Sequence, residues 1–249
     1  MDFTRIDALK SQLAAMRPLN AAELSRLRNE FIIENTYHSN AIEGNSLTLR
    51  ETALILQEGI TIAEKPLKEH LEAIGHRDAF QFIEELAGEN TALTEAMARD
   101  IHSLILMNDA VNRGKYRNMP VMIMGALHTP PQPYLVPVQM EQLIADYSGM
   151  KQSKHVIEAV AEFHLRFESI HPFIDGNGRT GRLLLNLELI KAGLLPVNIK
   201  FADRRKYYDC FDSYATDSTA DALVQLIATY EEEELTRRIH LLMDGTGKA

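Results

Sequence analysis

Apolar residues recur at steps of three and four over most of the chain, which is the period of an α-helix that buries one face. Three separate stretches carry the pattern clearly: Ile6, Leu9 and Leu13; Ile101, Leu104 and Ile105; and Val156, Val160 and Phe163. Residues 119–137 break it, because they mix β-prone residues with Gly125 and several prolines. We therefore predict a mainly helical, all-α bundle with one β-hairpin flap at residues 119–137.

Composition and charge limit which partners and which compartment we expect for this protein. Of the 249 residues 45% are hydrophobic, and the formal net charge of −9 argues against a nucleic-acid partner, because phosphate binding needs clustered lysine and arginine. No stretch is apolar enough for a membrane span, and the N-terminus lacks the apolar core of a signal peptide. The single cysteine, Cys210, excludes a disulfide within the chain. We expect a cytoplasmic protein with no membrane partner.

The segment His171–Arg182, H-P-F-I-D-G-N-G-R-T-G-R, places unusual residue types next to one another. Pro172 stops the preceding helix and pushes His171 towards extended geometry, so the imidazole is expected at a bend. Gly176, Asn177 and Gly178 tolerate positive φ and lead into a strong helical run. A glycine-rich turn before a helix is a natural anion site, because free N–H groups and the helix dipole point at the ligand.

Four side chains around this turn suit a polyphosphate ligand. Arg179 and Arg182 share one face of the first helical turns, where the macrodipole disfavours cations unless an anion lies between them. Asp175 suits Mg²⁺, which is typically held by one or two carboxylates plus substrate phosphates. His171 suits a general base, since imidazole titrates near neutral pH. Phe173 is expected to face the core.

Two other interpretations of the segment are weaker. Gly176-x-Gly178-x-x-Gly181 fits the dinucleotide fingerprint, but that motif needs a preceding strand and the residues before it are helical. A plain helix–turn–helix connection with surface arginines would explain any one of these residues. It does not explain a base, an acid, a glycine turn and two arginines within one short segment.

The segment resembles the signature of the Fic (filamentation-induced by cAMP) domain family, H-P-F-x-[D/E]-G-N-G-R-x-x-R, at every defined position. The resemblance extends over most of residues 30–215 and implies a helical bundle with a β-hairpin flap. It implies a protein adenylyltransferase, in which His171 deprotonates a Ser, Thr or Tyr hydroxyl of a target protein that attacks the α-phosphate of ATP. Asp175 would hold Mg²⁺ on the α- and β-phosphates.

The same resemblance implies roles for the remaining residues of the segment. Gly176, Asn177 and Gly178 would cradle the phosphates, while Arg179 and Arg182 would contact the polyphosphate, with Arg182 nearest the γ end. The flap would pair with an extended segment of the target, through residues 121–124. Tyr207 is a candidate for stacking on adenine, although such tyrosines are more often part of the core.

An upstream segment, Ser39–Asn45, suggests regulation within the chain. A helix is predicted to end at Gly44, which leaves Glu43 at the negative end of the helix dipole, where a partner cation would relieve it. The alternative is a solvated glutamate that caps the helix together with Asn40. The segment resembles the family's inhibitory motif, [S/T]-x-x-x-E-[G/N], which implies that Glu43 pairs with Arg182 and denies it to the γ-phosphate.

The sequence leaves several functions and assemblies open. The resemblance favours AMP transfer to target proteins and to the chain itself, with residues 1–92 as a helical region carrying the inhibitory motif and 93–249 as the catalytic core and C-terminal helices. Removal of AMP by the same site, with Glu43 orienting water, and a non-catalytic nucleotide-sensing module are alternatives. Transfer of the terminal phosphate is disfavoured, because Gly178 replaces the lysine of Doc-type relatives. A homo-oligomer is compatible with the sequence but not specified by it.

Overall fold

The computed structural model describes residues 1–89 and 91–244 and contains ten α-helices within those ranges. The end of the predicted C-terminal region, residues 245–249, lies outside the described part. The helices alternate with short connections, as the apolar period predicts. Their bounds are α1 Thr4–Ala15, α2 Ala21–Ile42, α3 Leu49–Glu58, α4 Leu67–Gly88, α5 Glu95–Ile105, α6 Val136–Ser153, α7 Val156–Ile170, α8 Asn177–Lys191, α9 Arg204–Asp217 and α10 Asp221–Asp244.

Helix α8 lies at the centre of the bundle, because its run of leucines leaves it without a solvent face. It packs against α4, α5 and α7. Two of its buried polar residues are paired through long-range contacts. Asn186 exchanges two hydrogen bonds with the backbone of Val197, at 3.1 and 2.8 Å. Glu188 forms ion pairs with Lys151 and Lys191, each at 3.2 Å. The N-terminus of α8 is therefore held on a rigid, fully packed element.

One hydrophobic core includes helices from both sides of residue 92, and Phe31, Phe80 and Phe163 all belong to it. The division of the chain at residue 92 therefore stays a prediction about roles and is not a break in packing. No helix within the described ranges is both long and apolar enough to cross a membrane.

Three helix ends meet at the segment His171–Arg182. Helix α2 ends at Ile42, with Glu43 as its C-cap and Gly44 at a φ of 95°, as predicted for this end. Helix α7 ends at Ile170 and is capped by His171. Helix α8 begins after Gly176, whose φ of 77° is the left-handed conformation expected of the glycine turn.

The flap, residues 119–137, has a turn but not the predicted β-hairpin. Its turn closes where Ala126 N donates to Ile123 O at 3.3 Å, with Gly125 at a φ of 81°. No residue in the described ranges is assigned to a β-strand, so the hairpin is not confirmed. Its prolines lack the N–H groups that a strand ladder needs, and residues 133–137 form a 3₁₀ turn and the start of α6.

The central position of α8 predicts a large loss of stability when Leu187 is replaced by alanine. Its side chain is fully buried, so the free energy of unfolding should fall by about 2–5 kcal/mol, measured by urea denaturation. The matched control is Leu241→Ala on α10, where the side chain is exposed and the loss should stay within about 0.5 kcal/mol. Equal losses in the two variants would contradict the packing described for α8.

Candidate active site

His171 stands at the bend between α7 and α8, but its backbone is not extended as predicted. It adopts a left-handed conformation with φ 49° and ψ 61°. Pro172 excludes the right-handed helix at this position, while the left-handed cap lets His171 N donate to Phe167 O at 3.0 Å. Phe173 is fully buried and faces the core, and its ring stacks on the His102 imidazole at 3.6 Å.

The side chain of Asn177 closes the turn and is not free to meet phosphates. Its Oδ1 accepts from Phe173 N at 2.8 Å and its Nδ2 donates to Phe173 O at 2.9 Å. The predicted phosphate contact of Asn177 stays a prediction. The N–H groups of Asn177, Gly178 and Arg179 lie in the first turn of α8, where no helical carbonyl can accept from them.

Arg179 is buried and faces two carboxylates, which differs from the predicted contact with the polyphosphate. Its Nη2 lies 3.2 Å from Asp175 Oδ1, and its Nη1 lies 3.4 Å from Glu72 Oε1 on α4. Both pairs hold the guanidinium within the fold, so Arg179 supports the turn from behind. Asp175 itself is half exposed and keeps access to solvent.

A single carboxylate is available for a metal at this turn. Within the described residues, no cluster of three or more His, Cys, Asp or Glu side chains could hold a metal ion. Asp175 therefore fits Mg²⁺ only in the manner of ions that take most of their remaining ligands from substrate phosphates and water.

Arg182 is buried and bound to the end of α2. Its Nη2 lies 2.8 Å from Glu43 Oε1, and the same nitrogen donates to Ser39 O at 2.8 Å. Its Nε donates to Ser39 Oγ at 3.0 Å. Glu43 thus has the partner cation that its place at the helix end requires, whereas the Asn40 side chain donates to Thr36 O and not to Glu43.

Gly178 allows this close approach of α2 to α8. A Cβ at Gly178 would overlap Glu43 Oε1 and would lie 3.0 Å from Arg182 Nη1. Any larger residue at this position would therefore displace the glutamate or the arginine.

A cavity of about 370 Å³ opens beside Arg182 and His171. A larger groove of about 790 Å³ between α1 and α10 is a shallow surface feature that contains none of the predicted site residues, so we assign the site to the smaller cavity. The lining of that cavity comes from the flap, both helix ends and α9: Glu43, Ile123, Met124, Gly125, Ala126, His128, Glu168, His171, Gly178, Arg182, Arg204, Tyr207, Tyr208, Phe211 and Asp212.

The His171 imidazole is neutral in this environment. Burial lowers its pKa to about 4, and the positive charge of Arg117 acts in the same direction, against the opposing effect of the Glu168 backbone carbonyl. A neutral imidazole at pH 7 is the form that can accept a proton, so the geometry and the ionisation state both suit a base.

Tyr207, the predicted adenine platform, lines the cavity but is almost wholly buried. Only 1% of it is exposed, and its hydroxyl is hydrogen-bonded to His164 Nε2 at 2.7 Å. The neighbouring Tyr208 is 38% exposed, and the Arg204 guanidinium lies 5.2 Å from the centre of its ring. Tyr208 therefore exposes much more of its ring than Tyr207, because successive side chains on a helix point about 100° apart.

Three residues that the sequence analysis did not identify hold the site together. Arg117 is buried and donates to His171 O at 2.8 Å, and also to Met119 O and Pro131 O of the flap, at 3.2 and 2.6 Å. His102 Nε2 is hydrogen-bonded to Asp175 O at 2.9 Å. No local pattern distinguishes these two residues from other polar positions in the sequence.

Glu168 is the third of these residues and lies directly beside His171. Its Oε2 lies 3.9 Å from His171 Nδ1, and only 8% of the residue is exposed. Burial raises the pKa of Glu168 to about 8, and the negative charge of Glu43 acts in the same direction with a smaller effect. The one signal in the sequence is a carboxylate on the apolar helix, one turn before His171.

Residues 92–189 match the Fic/DOC family. The chain is 34% identical over 235 residues to the "Protein adenylyltransferase Fic" of Drosophila willistoni, an alignment that covers 92% of the chain and 46% of that relative. The chain therefore spans about half the length of the curated relatives it matches.

Two solved structures share the fold over almost the whole chain. A Fic domain containing signaling protein from Bacteroides thetaiotaomicron superposes with a TM-score of 0.87 at 28% identity, covering 96% of this chain and 98% of that one. A variant of Fic-1 from C. elegans superposes with a TM-score of 0.84 at 30% identity, covering 96% of this chain and 71% of that one. The chain belongs to the Fic/DOC family.

Proposed function

We propose that the chain transfers AMP from ATP to a Ser, Thr or Tyr hydroxyl of a target protein or of itself. The observation that carries this proposal is the neutral His171 imidazole beside the N-terminus of α8 and the Arg182 guanidinium, all at one cavity. A volume of about 370 Å³ is within the range of small-ligand sites. The name of the Drosophila willistoni relative, protein adenylyltransferase, supports the same reaction.

The chemistry follows from the two nitrogens of His171. Its Nδ1 is buried, so Nε2 is the nitrogen that can meet a hydroxyl in the cavity. Nε2 takes the hydroxyl proton, the hydroxyl oxygen bonds to the α-phosphorus, and the bond from that phosphorus to the bridging oxygen breaks, releasing pyrophosphate. The first-turn N–H groups of α8 stabilise the negative charge that develops, because they are fixed before the reaction begins.

The remaining groups of the cavity suit the other parts of the nucleotide. The exposed ring of Tyr208 offers a stacking surface to adenine, and Arg182 can meet the γ-phosphate once Glu43 leaves it. Asp175, with phosphate oxygens, would hold Mg²⁺, which when bound neutralises charge on the phosphates. Arg179 and His102 then act as supports that keep the Asp175 carboxylate and backbone in place.

The target segment is proposed to lie along the flap. Met122 and Met124 are almost fully exposed there, beside a cavity that Met124 and Gly125 also line. Residues 121–124 are proposed to pair with an extended segment of the target, and the flexible methionines adapt to different side chains. Arg117 bonds the flap on both sides of this segment, at Met119 O and Pro131 O, and also bonds the His171 carbonyl.

Inhibition by Glu43 is proposed from its ion pair with Arg182. The pair occupies the guanidinium that a γ-phosphate would need, and Glu43 itself lines the cavity. A nucleotide could then bind productively only after the end of α2 moves.

Replacing Glu43 by glycine should raise AMP transfer on the order of 10-fold or more, because Arg182 becomes free for the γ-phosphate. The measurement is incorporation of label into lysate proteins and into the chain from ATP labelled at the α-phosphate, with γ-labelled ATP in parallel. The matched control is Glu58→Gly, which removes a carboxylate from the end of another helix, α3, and should leave transfer unchanged.

The outcomes of this experiment separate the candidate activities. Label from the α position that disappears in Glu43→Gly/His171→Ala supports AMP transfer, whereas label only from the γ position means phosphate transfer. Loss of AMP from prelabelled proteins would favour the hydrolase. Unchanged transfer in a folded Glu43→Gly variant would refute inhibition by Glu43.

Replacing Asp175 by asparagine in the Glu43→Gly background should raise the Mg²⁺ concentration for half-maximal transfer by about 10-fold or more, since the one available carboxylate is lost. A titration of Mg²⁺ at saturating ATP measures it. Asp221→Asn, at the start of α10, removes an equal charge far from the cavity and should leave the titration unchanged. A midpoint that Asp175→Asn does not shift would remove Asp175 from the metal site.

A further inference from the structure

Glu168 is a buried carboxyl at the wall of the cavity whose charge has no partner in the resting state. Its Oε1 is buried and has no hydrogen-bond partner among the described residues. Its Oε2 lies 3.9 Å from His171 Nδ1, which is also buried and is faced as well by the backbone carbonyl of Glu168. An ionised carboxylate in such a place is strongly disfavoured unless a cation or a donor faces it.

The groups around Glu168 offer only one cation, and it is already engaged. Arg182 is positively charged but is bound to Glu43 and to Ser39. Burial lowers the pKa of His164 to about 3, so that imidazole is neutral. The titratable and charged groups that face the Glu168 carboxyl are His164 and His171 on its own helix, Arg182 on α8, Glu43 at the end of α2 and Tyr207 on α9.

The position of the carboxyl depends on a glycine in the neighbouring helix. A Cβ at Gly181 would overlap Glu168 Oε1 and would lie 2.9 Å from His164 Cε1. Gly181 therefore leaves the space that lets Glu168 reach the cavity wall on the Nδ1 side of His171. The other nitrogen of the imidazole, Nε2, remains for the substrate hydroxyl.

We propose that Glu168 is a positioning residue for the transfer reaction, whose carboxylate holds the Nδ1 side of His171 and stabilises the imidazolium. This inference rests on the proposed function. In the step, the hydroxyl O–H bond breaks and an Nε2–H bond forms, while Glu168 keeps its negative charge throughout. The imidazolium formed on His171 gives the Glu168 carboxylate the cationic partner that it lacks in the resting state. A shift of about 1 Å brings Nδ1–H within hydrogen-bond distance of Glu168 Oε2.

Glu43 acts on this second carboxylate as well as on Arg182. Burial of Glu168 is the main reason why its pKa is raised to about 8. The negative charge of Glu43 is the second reason, because it also favours the protonated form of Glu168. Removal of Glu43 takes away that charge, so the pKa of Glu168 should fall. Because the raised pKa favours the neutral form, the active carboxylate accumulates as pH rises, and it should accumulate at lower pH when Glu43 is absent.

The test measures transfer of α-label to lysate proteins between pH 6 and 9.5. In Glu43→Gly the rate of transfer should increase with pH. The midpoint of this increase should fall at a lower pH than in the wild type. Adding Glu168→Gln should lower kcat on the order of 100-fold and abolish the rise, with an unchanged Kd for ATP. Glu168→Asp, which keeps the charge, should restore part of the rate and the rise.

The matched control is Glu231→Gln, which removes another buried carboxyl whose pKa burial also raises to about 8, but which lies on α10 away from the cavity. It should change neither the rate nor the pH profile. A folded Glu168→Gln variant with the parent's rate and profile would overturn the inference alone, whereas absence of α-label in Glu43→Gly at every pH would overturn the proposed function. Thermal unfolding shows whether Glu168→Gln folds. If it does not fold, a Glu168→Asp variant whose transfer rate does not increase with pH overturns the inference.

Discussion

The buried guanidinium of Arg182 is the constraint on which the site depends. A cation near the N-terminus of a helix opposes the macrodipole, and its burial is costly unless several acceptors face it. Helix α2 supplies those acceptors from one turn: the Ser39 carbonyl, the Ser39 hydroxyl and the Glu43 carboxylate. The end of α2 is therefore joined to the centre of the fold through the same charge that we propose for the γ-phosphate.

In the turn before α8, side chains that were expected to bind the ligand instead support the backbone. Residue types alone do not reveal this. Polar side chains expected to touch the ligand, Asn177 and Arg179, are bonded within the protein. What they stabilise is a backbone conformation in which the N–H groups of the first helical turn stay free. Side chains are flexible and would need to be ordered on binding, whereas backbone donors held by a packed helix are ordered beforehand.

The sequence predicts the helices and the glycine turn before α8 well, because their signals are local: apolar period, proline and glycine. It does not identify Arg117, His102 or Glu168, whose roles arise from contacts between distant segments and from burial. The burial of Tyr207 was not predictable for a related reason, since packing decides which face of α9 is exposed. The strand pairing of the flap depends on a partner strand, which local β-propensity does not supply.

The resting contacts of Arg182 are arranged so that one of them can leave. Glu43 is partly exposed and lies at the negative end of α2, and both features weaken its hold. The two bonds to Ser39 do not involve Glu43, so the guanidinium keeps acceptors when the carboxylate departs. An anionic ligand then competes with a partly solvated glutamate and does not need to break the whole cluster. Under the proposed inhibition, the Glu43–Arg182 contact and nucleotide binding oppose each other, and because such coupling is reciprocal each weakens the other by the same factor.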